Sequence, residues 1–229
     1  MLNNEKYFDN KIILKPWGYE YVIFRNKSKL SITLVNIKYK KSTSLHSHPQ
    51  KKTGFIILNG NMQVQVGLYK NSIKNYSPLS RLVIRPGLFH SLRSISSKGT
   101  RALEIETPVR KNDLLRFRDN YGRKGKPYEK LSLRDLVKDD VVFKKPKKNN
   151  SKVYKFENIK ITLKYIKNII DLKNFKNNST CAILDGGIFA KNNIPVLNYG
   201  EIVRIETVKK FLKFYSVKNK MLVLVASKL

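Results

Sequence analysis

Cysteine, histidine and acidic residues are all scarce in this chain of 229 residues. The single cysteine, Cys181, excludes an internal disulfide and a cysteine-rich zinc site, and suits a reducing compartment. No apolar run reaches the roughly 18 residues of a membrane span. The first residues, Met-Leu-Asn-Asn-Glu-Lys-Tyr-Phe-Asp, lack the apolar stretch of a secretory leader, so a cytoplasmic protein is expected. Walker loop, dinucleotide fingerprint and nucleophile elbow are all missing, which removes the nucleotide-binding and serine-hydrolase classes.

Two things are plentiful. Apolar residues make up 41% of the chain, enough for a packed core. Basic residues number 47 against 16 acidic ones, a formal net charge of +31. That excess is spread evenly: residues 1–130 carry 26 basic and 8 acidic side chains, residues 131–229 carry 21 and 8. There is no basic arm or recognition helix, so nucleic acid is not the expected partner. With asparagine also abundant, the charge reads as compositional bias on a solvated surface. A general field for phosphorylated substrates is the next reading. Charge-driven nucleic-acid binding is a third, with steep salt dependence and no role for His90.

The order along the chain is β-rich. Ser31–Tyr39, Phe55–Leu58, Met62–Val66, Arg81–Arg85, Ser91–Ser96 and Ala102–Thr107 read as strands. Asn59-Gly60 between two apolar runs is a hairpin signal. The polar segment Leu68–Ser80 reads as a loop over a site mouth. Asp113–Arg118 and Leu131–Lys138 read as short helices, the second with Ser132 and Asp135 in capping-box-like spacing. Lys144–Lys152 reads as an exposed linker, and a second β-rich segment runs from Val153 to Leu229. The segments look duplicated. Ile57–Gly60 matches Ile183–Gly186, Arg81–Arg85 matches Glu201–Ile205, and Ala102–Ile105 matches Leu222–Val225. The expected division is 1–130, a helical and basic linker 131–152, and 153–229.

All three histidines lie in the first half. His46 and His48 stand one residue apart in Leu-His-Ser-His-Pro, so on a strand they share a face. His90 ends Arg-Pro-Gly-Leu-Phe-His. Neutral imidazole is the commonest protein ligand for transition metals. Glu104 and Glu106 alternate with Leu103 and Ile105, so both point to one side of a strand. That side is either solvent or the interior.

These motifs resemble the cupin family: His46, His48 and Gly60 fit its first motif, and Pro86, Gly87 and His90 fit its second. Lys15-Pro-Trp-Gly-Tyr-Glu20 resembles the entry of the cupin domain of type II mannose-6-phosphate isomerases. Asn112–Arg123 resembles the segment with which that domain ends. The resemblance covers Lys15–Arg123. It implies an all-β double-stranded β-helix, or jelly roll, with a degenerate second cupin-like half that carries no metal ligands. That second half is expected to cover an edge, complete a core or form a homodimer. One departure stands out. The family's glutamate after His-x-His aligns with Thr53, a poor ligand. The site is then three histidines plus water, or a fourth ligand comes from Glu104, Glu106 or, more weakly, Gln50.

The resemblance implies metal-dependent aldose–ketose isomerisation of a sugar or sugar phosphate in carbohydrate or polysaccharide biosynthesis. The cofactor expected is a divalent zinc, iron, manganese or cobalt ion on His46, His48 and His90. Glu104 or Glu106 is the expected base, and Lys51, Lys52 and Arg85 are expected to bind the phosphate. Trp17 and Tyr19 read as packing residues. Arg116 and Arg123 read as structural partners of Asp113 and Asp119. The alternatives are a mononuclear iron dioxygenase and a non-catalytic sugar-binding protein.

Overall fold

A computed structural model describes residues 9–69, 71–123, 132–147 and 150–229. The chain divides into two compact units, Met1–Val142 and Phe143–Leu229. No helix among the described residues is long and apolar enough to cross a membrane.

The first unit begins with β1 (Lys11–Lys15), β2 (Gly18–Asn26), β3 (Leu30–Ile37) and β4 (Leu45–Ser47). It continues with β5 (Lys52–Asn59), β6 (Met62–Val66), β7 (Ile73–Tyr76) and β8 (Arg81–Ile84). It ends with β9 (His90–Ser94), β10 (Thr100–Thr107), β11 (Leu115–Arg118) and β12 (Ser132–Asp135). The larger sheet has the order β12-β1-β2-β3-β10-β5-β8 and the smaller one β11-β4-β9-β6-β7. From β3 to β10 the chain crosses back and forth between the two sheets, with antiparallel pairing throughout. That alternation is the double-stranded β-helix.

Period-2 alternation turns one apolar set inward. Trp17, Val35, Ile37, Phe55, Ile57, Met62, Val64, Ile84, Leu92 and Ala102 form the buried core. Trp17 packs in this core and also lines the cavity that holds the three histidines. Asn59-Gly60 is a turn but not a hairpin: β5 and β6 do not pair, and the turn carries the chain from the larger sheet to the smaller one. Gly60 has φ +67°, and a Cβ there would stand 2.4 Å from the Gly99 carbonyl oxygen, so glycine is required.

Three further expectations fail in this unit. Asp113–Arg118 is not a helix: Leu115–Arg118 is β11, paired with β4. Leu131–Lys138 is not a helix either, and Leu131 lies outside the described residues. Ser132–Asp135 is β12, paired with β1, so this part of the expected linker is a sheet edge. Four-residue windows fit both helical and strand periods, and an open edge with unpaired N–H and C=O groups decided between them. Leu68–Ser80 is not a loop throughout, and Lys70 lies outside the described residues. The segment contains β7, the edge strand beside β6.

The second unit contains β13 (Ser151–Phe156), β14 (Ile159–Ile166), β15 (Thr180–Asp185) and β16 (Gly187–Phe189). After these come β17 (Pro195–Asn198), β18 (Ile202–Arg204), α1 (Ile205–Phe211), β19 (Ser216–Val217) and β20 (Met221–Lys228). Its sheets have the orders β13-β14-β20-β15-β18 and β17-β16-β19. The run β14-β20-β15-β18 repeats β3-β10-β5-β8, and β17-β16-β19 repeats β7-β6-β9. All three matched sequence pairs fall on corresponding strands: β5 with β15, β8 with β18, β10 with β20. The counterpart of β9 is cut to two residues, and no described strand stands for β4; a short helical turn, Ile169–Leu172, lies in that interval. These are the two strands that carry histidines in the first unit. The second core contains Ile166, Leu172, Ile183, Ile188, Val208 and Val223. Cys181 is buried there, and burial pushes its thiol up to about 12, so it is a packing group rather than a thiolate ligand.

Candidate metal centre

His46 on β4 and His90 on β9 stand directly opposite each other in the antiparallel register. Residues so paired hold their Cβ atoms about 4.5–5.5 Å apart. His48 follows two residues later and falls on the same face. The three ring centroids lie 4.5, 4.9 and 5.4 Å apart. One ligand nitrogen from each ring lies within 4.8 Å of the other two, near enough for one ion to touch all three.

Backbone carbonyls set the tautomers. Nδ1 of His46 lies 2.8 Å from the Ser44 carbonyl, Nδ1 of His90 lies 3.1 Å from that of Leu88, and Nδ1 of His48 contacts that of Asp113. A carbonyl only accepts, so each Nδ1 carries the proton and each Nε2 keeps its lone pair. The Nε2 atoms of His48 and His90 are buried and have no hydrogen-bond partner. Buried polar atoms without partners are uncommon and call for an explanation. An outward Nδ1–H on a carbonyl with a bare inward Nε2 is the arrangement of metal-binding histidines. The donor set fits a divalent transition metal.

Burial pushes His48 down to about 3, with help from Lys51 and His90. It pushes His90 down to about 4, and His46 well below the usual imidazole value. These are depressed folded-state values. The stability linked to them is present above the unfolded imidazole pKa and lost as pH falls through the folded ones. Metal-free protein is therefore expected to lose melting temperature as pH drops from about 6.5 toward 4, with up to three protons taken up on unfolding. Thermal scans across that range check this, and a flat profile contradicts it.

The histidines line a cavity of about 80 Å³ inside the barrel. That is room for several waters at roughly 10–15 Å³ each, or for one end of a larger ligand. Glu104 and Glu106 both line it, so their shared face looks inward, not to solvent. Burial, and then the charge of Glu106, pushes the Glu104 carboxyl up to about 8. Glu106 is the opposite case. Burial pushes it up, but the Lys111 and Lys51 ammonium groups outweigh burial and hold it well below the carboxylate range. It is ion-paired with Lys51 Nζ and with Lys111 Nζ, the latter at 3.1 Å, and accepts from Ser31 Oγ at 3.1 Å.

The other expected residues divide. Lys51 is buried in the cavity wall. Lys52 is not among the lining residues, and Arg85 is exposed beyond the end of β8. Strand alternation turns Lys52 away from its neighbour Lys51, and Pro86-Gly87 carries Arg85 outward. Gln50 is exposed and its Oε1 is bound by Arg110, so it is not at the histidines. Thr53 is buried across the register from Glu106. Arg123 does pair with Asp119, at 2.6 Å. Asp113 accepts from the backbone N–H groups of Gln50 and Lys51, at 3.0 and 2.9 Å, which fixes the turn after His48.

Sequence reading missed Lys15, Glu20 and Lys111 as cavity residues and gave Arg116 and Arg123 only structural roles; all five line it. Lys15 and Glu20 lie 3.7 Å apart. Their motif was visible, but no local signal showed that it faces the histidines.

No family model matches the chain, and no curated protein matches it. Solved structures do resemble it, at low identity. KdgF from a Halomonas species is 13% identical, over 42% of this chain and 85% of that one, with a TM-score of 0.38. The cupin domain of Cnp3 from Schizosaccharomyces pombe is 13% identical, over 40% and 64%, with a TM-score of 0.37. The capsular polysaccharide assembling protein CapF from Staphylococcus aureus is 14% identical, over 47% and 34%, with a TM-score of 0.42. Likeness at that level assigns no residue and no activity; the double-stranded β-helix of the first unit rests on its own strand order and register.

Proposed function

We propose that the first unit is a metal-dependent cupin that acts on a sugar or sugar phosphate, with aldose–ketose isomerisation as its reaction. The observation that carries this reading is the set of three neutral histidines in one cavity with a carboxyl group, Glu104, that burial pushes up in the metal-free protein. A divalent metal, when bound, supplies Lewis acidity toward the oxygens of a sugar's carbonyl and adjacent hydroxyl. His46, His48 and His90 hold it. Glu104 moves the proton between C1 and C2, because a general acid–base works best with a pKa near the working pH. Glu106 is committed to its two lysines and is not the base. Lys51, engaged with Glu106, is a poor phosphate holder, and Lys52 and Arg85 are off the cavity. Arg116 on β11 lines the cavity and is the better choice to orient an anionic group.

A second reading is a mononuclear iron dioxygenase. It is favoured by a set of histidines without a carboxylate ligand, which leaves positions for oxygen and substrate.

The test is direct. Metal-loaded protein is incubated with fructose 6-phosphate and other ketose phosphates, and aldose formation is followed. Turnover is expected, and Glu104→Gln is expected to slow it about 10²–10⁴-fold. No turnover with any ketose phosphate at full metal loading sinks the isomerase reading. Oxygen uptake by the iron form supports the second one instead.

A further inference from the structure

By residue type Glu106 qualifies as a fourth metal ligand. It lies across the register from Thr53, faces the cavity, and shares that cavity with all three histidines. Both of its oxygens are nevertheless taken. Oε1 is bound by Lys51 Nζ, and Oε2 accepts from Lys111 Nζ and Ser31 Oγ, each at 3.1 Å. The three charged side chains are nearly sealed from solvent, with 4% of Glu106, 4% of Lys51 and 8% of Lys111 exposed. Charge-assisted bonds of this kind are the strong ones, and swinging Glu106 away would strand two buried ammonium groups.

Resting on the metal reading above, we infer that Lys51 and Lys111 are positioning residues that hold Glu106 off the metal, so that the three-histidine centre takes a small chelating oxyanion. Three neutral imidazoles leave the charge of a divalent ion uncompensated. The nearby carboxylates Glu106 and Glu20 do not offset it, because Glu106 is ion-paired with Lys51 and Lys111 and Glu20 lies 3.7 Å from Lys15. A buried charge left without a partner calls for an anion. Metal positions left open by Glu106 accept two of its oxygens, as a carboxylate with a neighbouring oxygen or a phosphate provides.

The experiment uses the full chain loaded with cobalt(II), with oxalate as the probe, followed by visible absorption. X-ray absorption on the zinc-loaded wild type counts the ligands. In the wild type the expected protein donors are three imidazole nitrogens, and oxalate binds one to one. In Lys51→Met/Lys111→Met, Glu106 is released onto the metal. The cobalt spectrum then shifts without oxalate, and oxalate affinity falls at least about tenfold, as expected when a protein group occupies a ligand position. Adding Glu106→Gln to that variant restores the wild-type spectrum. If the double variant does not fold, wild-type absorption data and Glu106→Gln alone decide: an unchanged cobalt spectrum supports the inference. A protein carboxylate on the wild-type metal overturns it, as does unaltered oxalate affinity in the double variant. Failure to take up any metal overturns the metal reading and this inference together; uptake with Glu106 bound overturns this inference alone.

Discussion

Alanine at His48 is expected to empty the metal centre. The wild type should carry about one ion per chain after loading and desalting, and His48→Ala less than a tenth of that. Losing one of three donors weakens binding more than the roughly 10–100-fold that follows loss of a supporting hydrogen bond. His48 is also fixed from outside. Its Nδ1 is held by the Asp113 carbonyl, and the turn that follows it is held by the Asp113 carboxylate. Glu106, held by its two lysines, does not take the place of its bare Nε2. The consequence extends to stability. A ligand that binds only the folded state stabilises it by about 2.7 kcal/mol at 100 times its Kd. A chelator should therefore lower the melting temperature of the wild type and leave that of His48→Ala unmoved. Elemental analysis gives the stoichiometry, and equal metal in both proteins would falsify the assignment of the centre.

Glu106→Ala is expected to cost about 3–5 kcal/mol of folding stability, the range for breaking a buried ion pair by removing one partner. Lys51 and Lys111 are both left charged in a sealed wall. The comparison within the same chain is Glu206, whose pair with Lys210 on α1 leaves side chains 46% and 69% exposed. Glu206→Ala should cost far less, since exposed helical pairs contribute little. Urea unfolding of the two variants measures the contrast directly. The pH sign is fixed as well. Glu106 is held below its unfolded value, so its stabilisation is present above the unfolded carboxylate pKa and lost as pH falls through the folded one. Near-equal costs for Glu106→Ala and Glu206→Ala would mean that the lysine clamp contributes no more than a surface pair.

Much of the barrel was legible locally. Alternation and turn residues located the strands around Asn59-Gly60, and Met62–Val66 has the bounds its pattern predicts. The weak internal matches, read as a duplication, fall on corresponding strands of the two units. The short edge strands β11 and β12 were misread as helices, because four residues carry too little period and only a partner strand decides.

The sequence by itself determined which side chains travel together. Period-2 geometry puts His46 with His48, and Glu104 with Glu106, whatever lies around them. Tertiary structure alone decided which side of the strand is the interior, and which charges meet there. Lys51 looked like a solvent-facing phosphate holder from its neighbours in the chain. Its partner is a carboxylate 55 residues away. Coulomb energy depends on distance in space and on burial, not on separation in sequence. For the same reason two glutamates one alternation apart take opposite roles, one clamped as an anion and one pushed toward neutral pH.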